Sequence, residues 1–150
     1  MEITLAINKE NVMREVAVTT AYTGGKMDGD ENALHRISTV DEDEAHLDRF
    51  WEECRSDLCQ ELIGLVTFEG MADDVYSLRL EVSKSFDEAL LPSMKLSLMS
   101  YFVQGIAAKW YVYTNKSEAG EYADKARLLL DDIHRKAVYK KKPTRPTYDD

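Results

Sequence analysis

Asn115-Lys116-Ser117 is a three-residue break between two long stretches of helical periodicity. Before it, Leu91, Met94, Leu98, Tyr101, Phe102, Ile106 and Trp110 give an apolar stripe with helical spacing. After it, Ala119, Tyr122, Ala126, Leu130, Ile133 and Ala137 do the same. Each stretch reads as an amphipathic helix. A break this short forces consecutive helices to fold back on each other, so the pair is expected to form an antiparallel hairpin. Ser85 or Asp87 opens the first helix, and Pro92 sits near its start, where a missing N–H is tolerated best. Ser117 is the expected cap of the second.

Two stretches alternate with period two instead. Ile3, Leu5 and Ile7 interleave with polar neighbours, and Tyr76, Leu78, Leu80 and Val82 interleave with Ser77, Arg79 and Glu81. Both read as half-buried strands. Neither has an evident strand beside it in sequence, so the two are paired across the chain. An isolated two-stranded element is marginal in water. The pair must lean on the helices or borrow a strand from another subunit. Asn8 is placed to cap a helix from Lys9 to about Tyr22, which Thr23-Gly24-Gly25 should end. Residues 24–40 are rich in Gly, Asp and Asn and read as one long surface loop. A further helix is expected from about Val40 to Val66, with Asp41, Asp43 and Glu44 complementing the dipole at its start. Gly70 to Asp74 reads as a turn. The fold class is therefore α+β and mostly α, in the order β-α-α-β-α-α. Residues 1–139 form one domain, and residues 140–150 form an extended basic arm.

The chain has 150 residues, enough for one domain with a real core. Its net charge of −9 argues against a general nucleic-acid coat. The charge is unevenly placed. Residues 28–62 hold twelve acids against three arginines, whereas residues 134–146 hold six Lys and Arg and no acid. Lys140, Lys141, Lys142 and Arg145, followed by Tyr148, make a compact basic run interleaved with prolines. That run suits head-to-tail attraction between copies, or contact with an acidic partner. Trp110, Tyr111 and Tyr113 cannot all face one way from a helix together with Tyr101. Some of them are expected on a second surface, available to another chain.

Catalytic and cofactor signatures fail one by one. Asp28-Gly29-Asp30-Glu31-Asn32 lacks the later glycine and glutamate of a calcium loop. Cys54 and Cys59 stand five apart, without the spacing of a zinc site or an internal disulfide. His35, His46 and His134 fall in no metal-ligand spacing, and Gly24-Gly25-Lys26 is no phosphate loop. No catalytic residue, cofactor or metal is expected. The first residues hold an acid and no apolar run, and no apolar run is long enough for a membrane span, so a cytoplasmic protein is expected.

Several stretches are similar to the head–tail connector (adaptor) proteins of tailed bacteriophages and prophages, particularly those of Bacteroides-type bacteria. The resemblance is carried by Tyr22-Thr23-Gly24-Gly25-Lys26-Met27, by Asp41-Glu42-Asp43 leading to Leu47-Asp48-Arg49-Phe50-Trp51, by Tyr101 to Tyr113 with Thr114-Asn115, and by Lys140-Lys141-Lys142-Pro143-Thr144-Arg145-Pro146. It implies a non-enzymatic virion protein. About a dozen copies would form a ring between portal and tail, assembled in the host cytoplasm, with DNA passing without sequence-specific binding. The strand at 75–83 and the N-terminal strand and helix go beyond the shortest connectors. A tail-completion or stopper protein, or a small intracellular partner-binding adaptor, are the alternatives.

Overall fold

The computed structural model describes residues 1–25, 33, 39 and 43–144. In order, these form β1 (Glu2–Asn8), α1 (Lys9–Gly25), α2 (Glu44–Glu61), β2 (Val66–Ala72), β3 (Val75–Glu81), a short 3-10 turn (Glu88–Leu90), α3 (Leu91–Thr114) and α4 (Lys116–Val138). α3 and α4 form the antiparallel hairpin that the 115–117 break demands. The Ser97 hydroxyl donates to Asp132, and the Lys136 ammonium reaches the Ser93 hydroxyl and the Asp132 carboxylate. Asn115, rather than Ser117, occupies the N-cap of α4, and the Ser117 hydroxyl donates to its Oδ1.

The sheet has three strands, ordered β1-β3-β2, and is antiparallel throughout. β1 and β3 pair across the chain as their alternation requires, with Leu5 opposite Leu78 and Ile7 opposite Tyr76. The expected two-stranded element is corrected by β2, which makes a hairpin with β3. Two features hid β2. Leu58, Leu62 and Leu65 continue the helical spacing past the end of α2. In β2 itself, burial does not alternate, and Phe68 is exposed. α2 ends at Glu61 with its C-cap at Leu62, and two residues further on Gly64 turns the chain at φ +88°, where a side chain would be strained. The turn is Asp73-Asp74 alone, with φ +51° and +63°, the twisted two-residue hairpin geometry. Gly70 lies within β2.

At the N-terminus, the Asn11 N–H donates to Asn8 Oδ1 at 3.0 Å, so Asn8 caps α1 as expected. α1 then continues through Gly24 and Gly25 rather than ending at Thr23. The proposed loop 24–40 falls almost wholly outside the described residues. Within its range, Ala33 is helical and fully buried.

Three aromatic rings join the layers. Trp51 of α2 stacks on Phe102 of α3 at 4.2 Å, and Tyr76 of β3 meets both rings edge-on at 5.8 and 5.4 Å. Beside them, Arg55 makes a two-pronged ion pair with Glu69 of β2, at 3.0 and 3.1 Å. This pair ties α2 to the sheet. The hydrogen bond from Arg55 holds the Glu69 carboxyl below its usual value, and Glu69 in turn raises Arg55. α2 and α3 approach closely at Gly105, where a Cβ would lie 2.9 Å from Cys54 Sγ. Burial pushes the Cys54 thiol up to about 12, so it is neutral and acts as a packing group.

Gly105→Ala should therefore destabilise the protein by about 1–3 kcal/mol through overpacking. Urea unfolding of the single variants and of Gly105→Ala with Cys54→Ala checks this, because removing Sγ should recover part of the loss. Glu69 should contribute stability above its unfolded pKa of about 4.3, and that contribution should vanish as pH falls through its lower folded value. Glu69→Gln should lower stability at neutral pH and flatten the acid limb of a stability–pH curve. The two proteins should converge at the acid end.

Candidate functional site

α2 runs antiparallel to α3, so its first turns lie beside the last turns of α3. The Lys109 ammonium meets Glu53 at 3.3 Å, and about two turns earlier along α3 the Tyr101 hydroxyl donates to the Cys54 carbonyl. Above these contacts the two helices enclose an open groove of about 560 Å³. Its floor is aromatic. Phe50 and Tyr113 stack at 6.3 Å with an interplanar angle of 11°, and Trp110 lies alongside. Its rim carries both signs of charge, with Asp43 and Glu53 facing Arg49 and Lys109. Arg49 reaches Glu53 at 3.4 Å. Tyr113 is 77% exposed and Val112 is 50% exposed. The groove thus offers a flat apolar surface bordered by ions, which suits a polypeptide segment with an apolar anchor and charged flanks.

The residues singled out in the sequence are sorted by this geometry. Asp43, Trp110 and Tyr113 converge on the groove. Trp110 is buried, and it contributes one face of the floor. Tyr111 does not belong to this surface. It is fully buried, its hydroxyl donates to Thr23 Oγ1 at 2.9 Å, and its ring meets Tyr122 edge-on. Burial pushes that phenol up to about 12. Tyr111 therefore joins α1, α3 and α4, and the expectation that it serves a partner is corrected. Glu44 points elsewhere, into a cleft between α1 and α2 that also holds the Lys9–Asp48 ion pair at 2.9 Å. Asp41, Arg145 and Tyr148 lie outside the described residues.

Lys140, Lys141 and Lys142 sit at the opposite end of the helical body. They follow α4, whose last turns pack on the first turns of α3, and all three are exposed. The Lys141 N–H donates to the Ser85 carbonyl at 2.7 Å, which fixes where the arm leaves the body. No ion pair engages these lysines among the described residues. α3 has 24 residues, so the lysines and the groove are separated by roughly 30 Å.

Sequence reasoning missed Phe50, Glu53 and Lys109 as parts of the groove. Phe50 carries the period of a core residue and is buried, yet one side of its ring meets Tyr113. Among the described residues, no group of three or more His, Cys, Asp or Glu is placed to hold a metal ion. No described helix is long and apolar enough to cross a membrane. The chain matches no protein-family model, no curated protein and no solved structure in the comparisons made.

Tyr113 and Tyr111 should respond oppositely to truncation. Tyr113→Ala should change unfolding free energy by no more than about 0.5 kcal/mol. Tyr111→Phe, which loses only the hydroxyl bonded to Thr23, should cost about 1 kcal/mol. Urea titration of both variants checks the assignment of one ring to a surface and the other to the core.

Proposed function

We propose that the chain is a structural virion protein, a head–tail connector (adaptor) subunit of a tailed bacteriophage or prophage. It works as part of a homo-oligomeric ring of about a dozen copies between portal and tail. The observation that carries this reading is the placement of two unlike surfaces at opposite ends of one rigid helical body. The aromatic groove of Phe50, Trp110 and Tyr113 lies at one end, and the exposed lysines 140–142 lie at the other.

A connector subunit needs that arrangement. It joins one assembly above to another below, so its two ends must recognise different partners. The α3–α4 hairpin supplies a stiff spacer, and its length sets the distance between the two contacts. The lysine arm suits an acidic face on one neighbour, and the groove suits a peptide segment of the other. The net charge of −9 suits a channel wall that DNA passes without sticking. The role requires no catalytic group or cofactor. The same two-ended geometry serves a tail-completion or stopper subunit, which differs in the neighbours it meets.

Replacing Lys140, Lys141 and Lys142 together with glutamate should leave monomer folding unchanged by circular dichroism and thermal melting. It should block incorporation of the subunit into particles when the variant complements a deletion. Incorporation at the wild-type level would remove the arm from the assembly contact. A stable complex of one copy with one soluble host protein, and no incorporation of the wild type, would favour an intracellular adaptor.

A further inference from the structure

Among the described residues, no further strand pairs with either edge of the sheet. In β1 the hydrogen-bonded pairing with β3 falls on the odd residues. The Lys9 N–H donates to the Asp74 carbonyl at 2.8 Å, and the Val82 N–H donates to the Met1 carbonyl at 2.7 Å. With the register between them unbroken, Ile3, Leu5 and Ile7 bond to β3. The N–H and C=O groups of Glu2, Thr4 and Ala6 must then point away from the sheet. No backbone partner for these groups appears among the described residues. In β2 the two-residue turn makes Ala72 and Val75 a bonded pair, so Met71 and Glu69 present their backbone groups to the other open edge.

Open edges are templates for another strand. β1 carries no proline, no bulge and no charge between Glu2 and Lys9, so nothing on it discourages pairing. β2 has an irregularity between Val66 and Phe68 and is regular from there to Ala72. The two strands point the same way, because each is antiparallel to β3.

We infer that neighbouring copies join side by side through this sheet, the β1 edge of one copy receiving the β2 edge of the next in parallel. The inference rests on the ring reading and supplies its lateral contact. A ring needs a heterologous interface, made from two different patches on opposite flanks of each subunit. The two edges of a β1-β3-β2 sheet are such a pair. They lie on the flank of the body rather than at its ends, since Tyr76 packs beside Phe102 while Ser85, beyond the other end of β3, lies near the start of α3. The parallel alignment places Asp73 and Asp74 of one copy beside Asn8 and Lys9 of the next, whose ammonium already pairs with Asp48 at 2.9 Å, so what it gains is the avoidance of like charge. An antiparallel alignment would press the same two aspartates against Glu2.

Proline separates the two edges in an experiment. Thr4→Pro removes an outward N–H from β1 and leaves the bonds to β3 intact, and Met71→Pro does the same for β2. Both side chains are exposed. Each variant, checked for folding by circular dichroism and thermal melting, should sediment as a monomer at concentrations where the wild-type chain forms higher oligomers. An equimolar mixture of the two should form a heterodimer and stop there, because one intact β1 edge meets one intact β2 edge. Hydrogen exchange should show the Thr4 and Ala6 amides slowing at least tenfold on wild-type assembly, a readout that does not depend on either variant folding. Wild-type assembly with those amides unprotected would overturn the strand contact and leave the ring reading standing. Arrest by Thr4→Pro alone, with wild-type dimers as the end point, would replace it with a β1–β1 pair. A wild-type chain that stays monomeric at every concentration would overturn both the contact and the ring.

Discussion

The contact among Trp51, Phe102 and Tyr76 holds the rest of the structure in place. Each ring comes from a different element, so the triad fixes α2, α3 and β3 against one another at a single point. Stacked and edge-on rings also carry geometric preference beyond their buried area, which limits sliding between the layers. Everything positioned by these elements follows. The Arg55–Glu69 ion pair closes above the triad, the Cys54–Gly105 approach lies about one turn further along the helices, and the groove opens beyond it. The interior is crowded at these points, and a small shift in α2 would move Phe50 away from Tyr113.

That frame explains how one short chain presents unlike surfaces far apart. Helices packed antiparallel place the start of one beside the end of the next. The start of α2 therefore meets the end of α3, and the end of α4 meets the start of α3. Asp43, at the start of α2, and Lys140–Lys142, beyond α4, are thereby placed at opposite ends. Charge separation of this kind costs little in a rigid body, because the groups stand far beyond the roughly 10 Å over which salt screens them.

Much of the fold was legible in the sequence, and the reasons are specific. The hairpin of α3 and α4 was readable because a three-residue break leaves no other path. The β1–β3 pair was readable because both strands have one wet and one buried face. β2 was not readable, since an edge strand with an exposed phenylalanine, an inward glutamate held by Arg55 and a mid-strand glycine carries no alternating signal. The groove was half legible. Three helix-end residues at 110, 111 and 113 mark a surface, but the helical rotation that exposes Tyr113 and buries Tyr111 depends on where α1 packs. Phe50 looked like core, and it serves both roles.

We propose that this chain is a ring component of a virion, made of side-by-side copies with different partners at their two ends. Quantitative peptide mass spectrometry of density-purified, nuclease-treated particles from a host carrying the gene tests it most directly. The account predicts peptides of this chain at about a dozen copies per particle, in constant ratio to the portal protein. Intact, infectious particles that contain none of it would contradict the account.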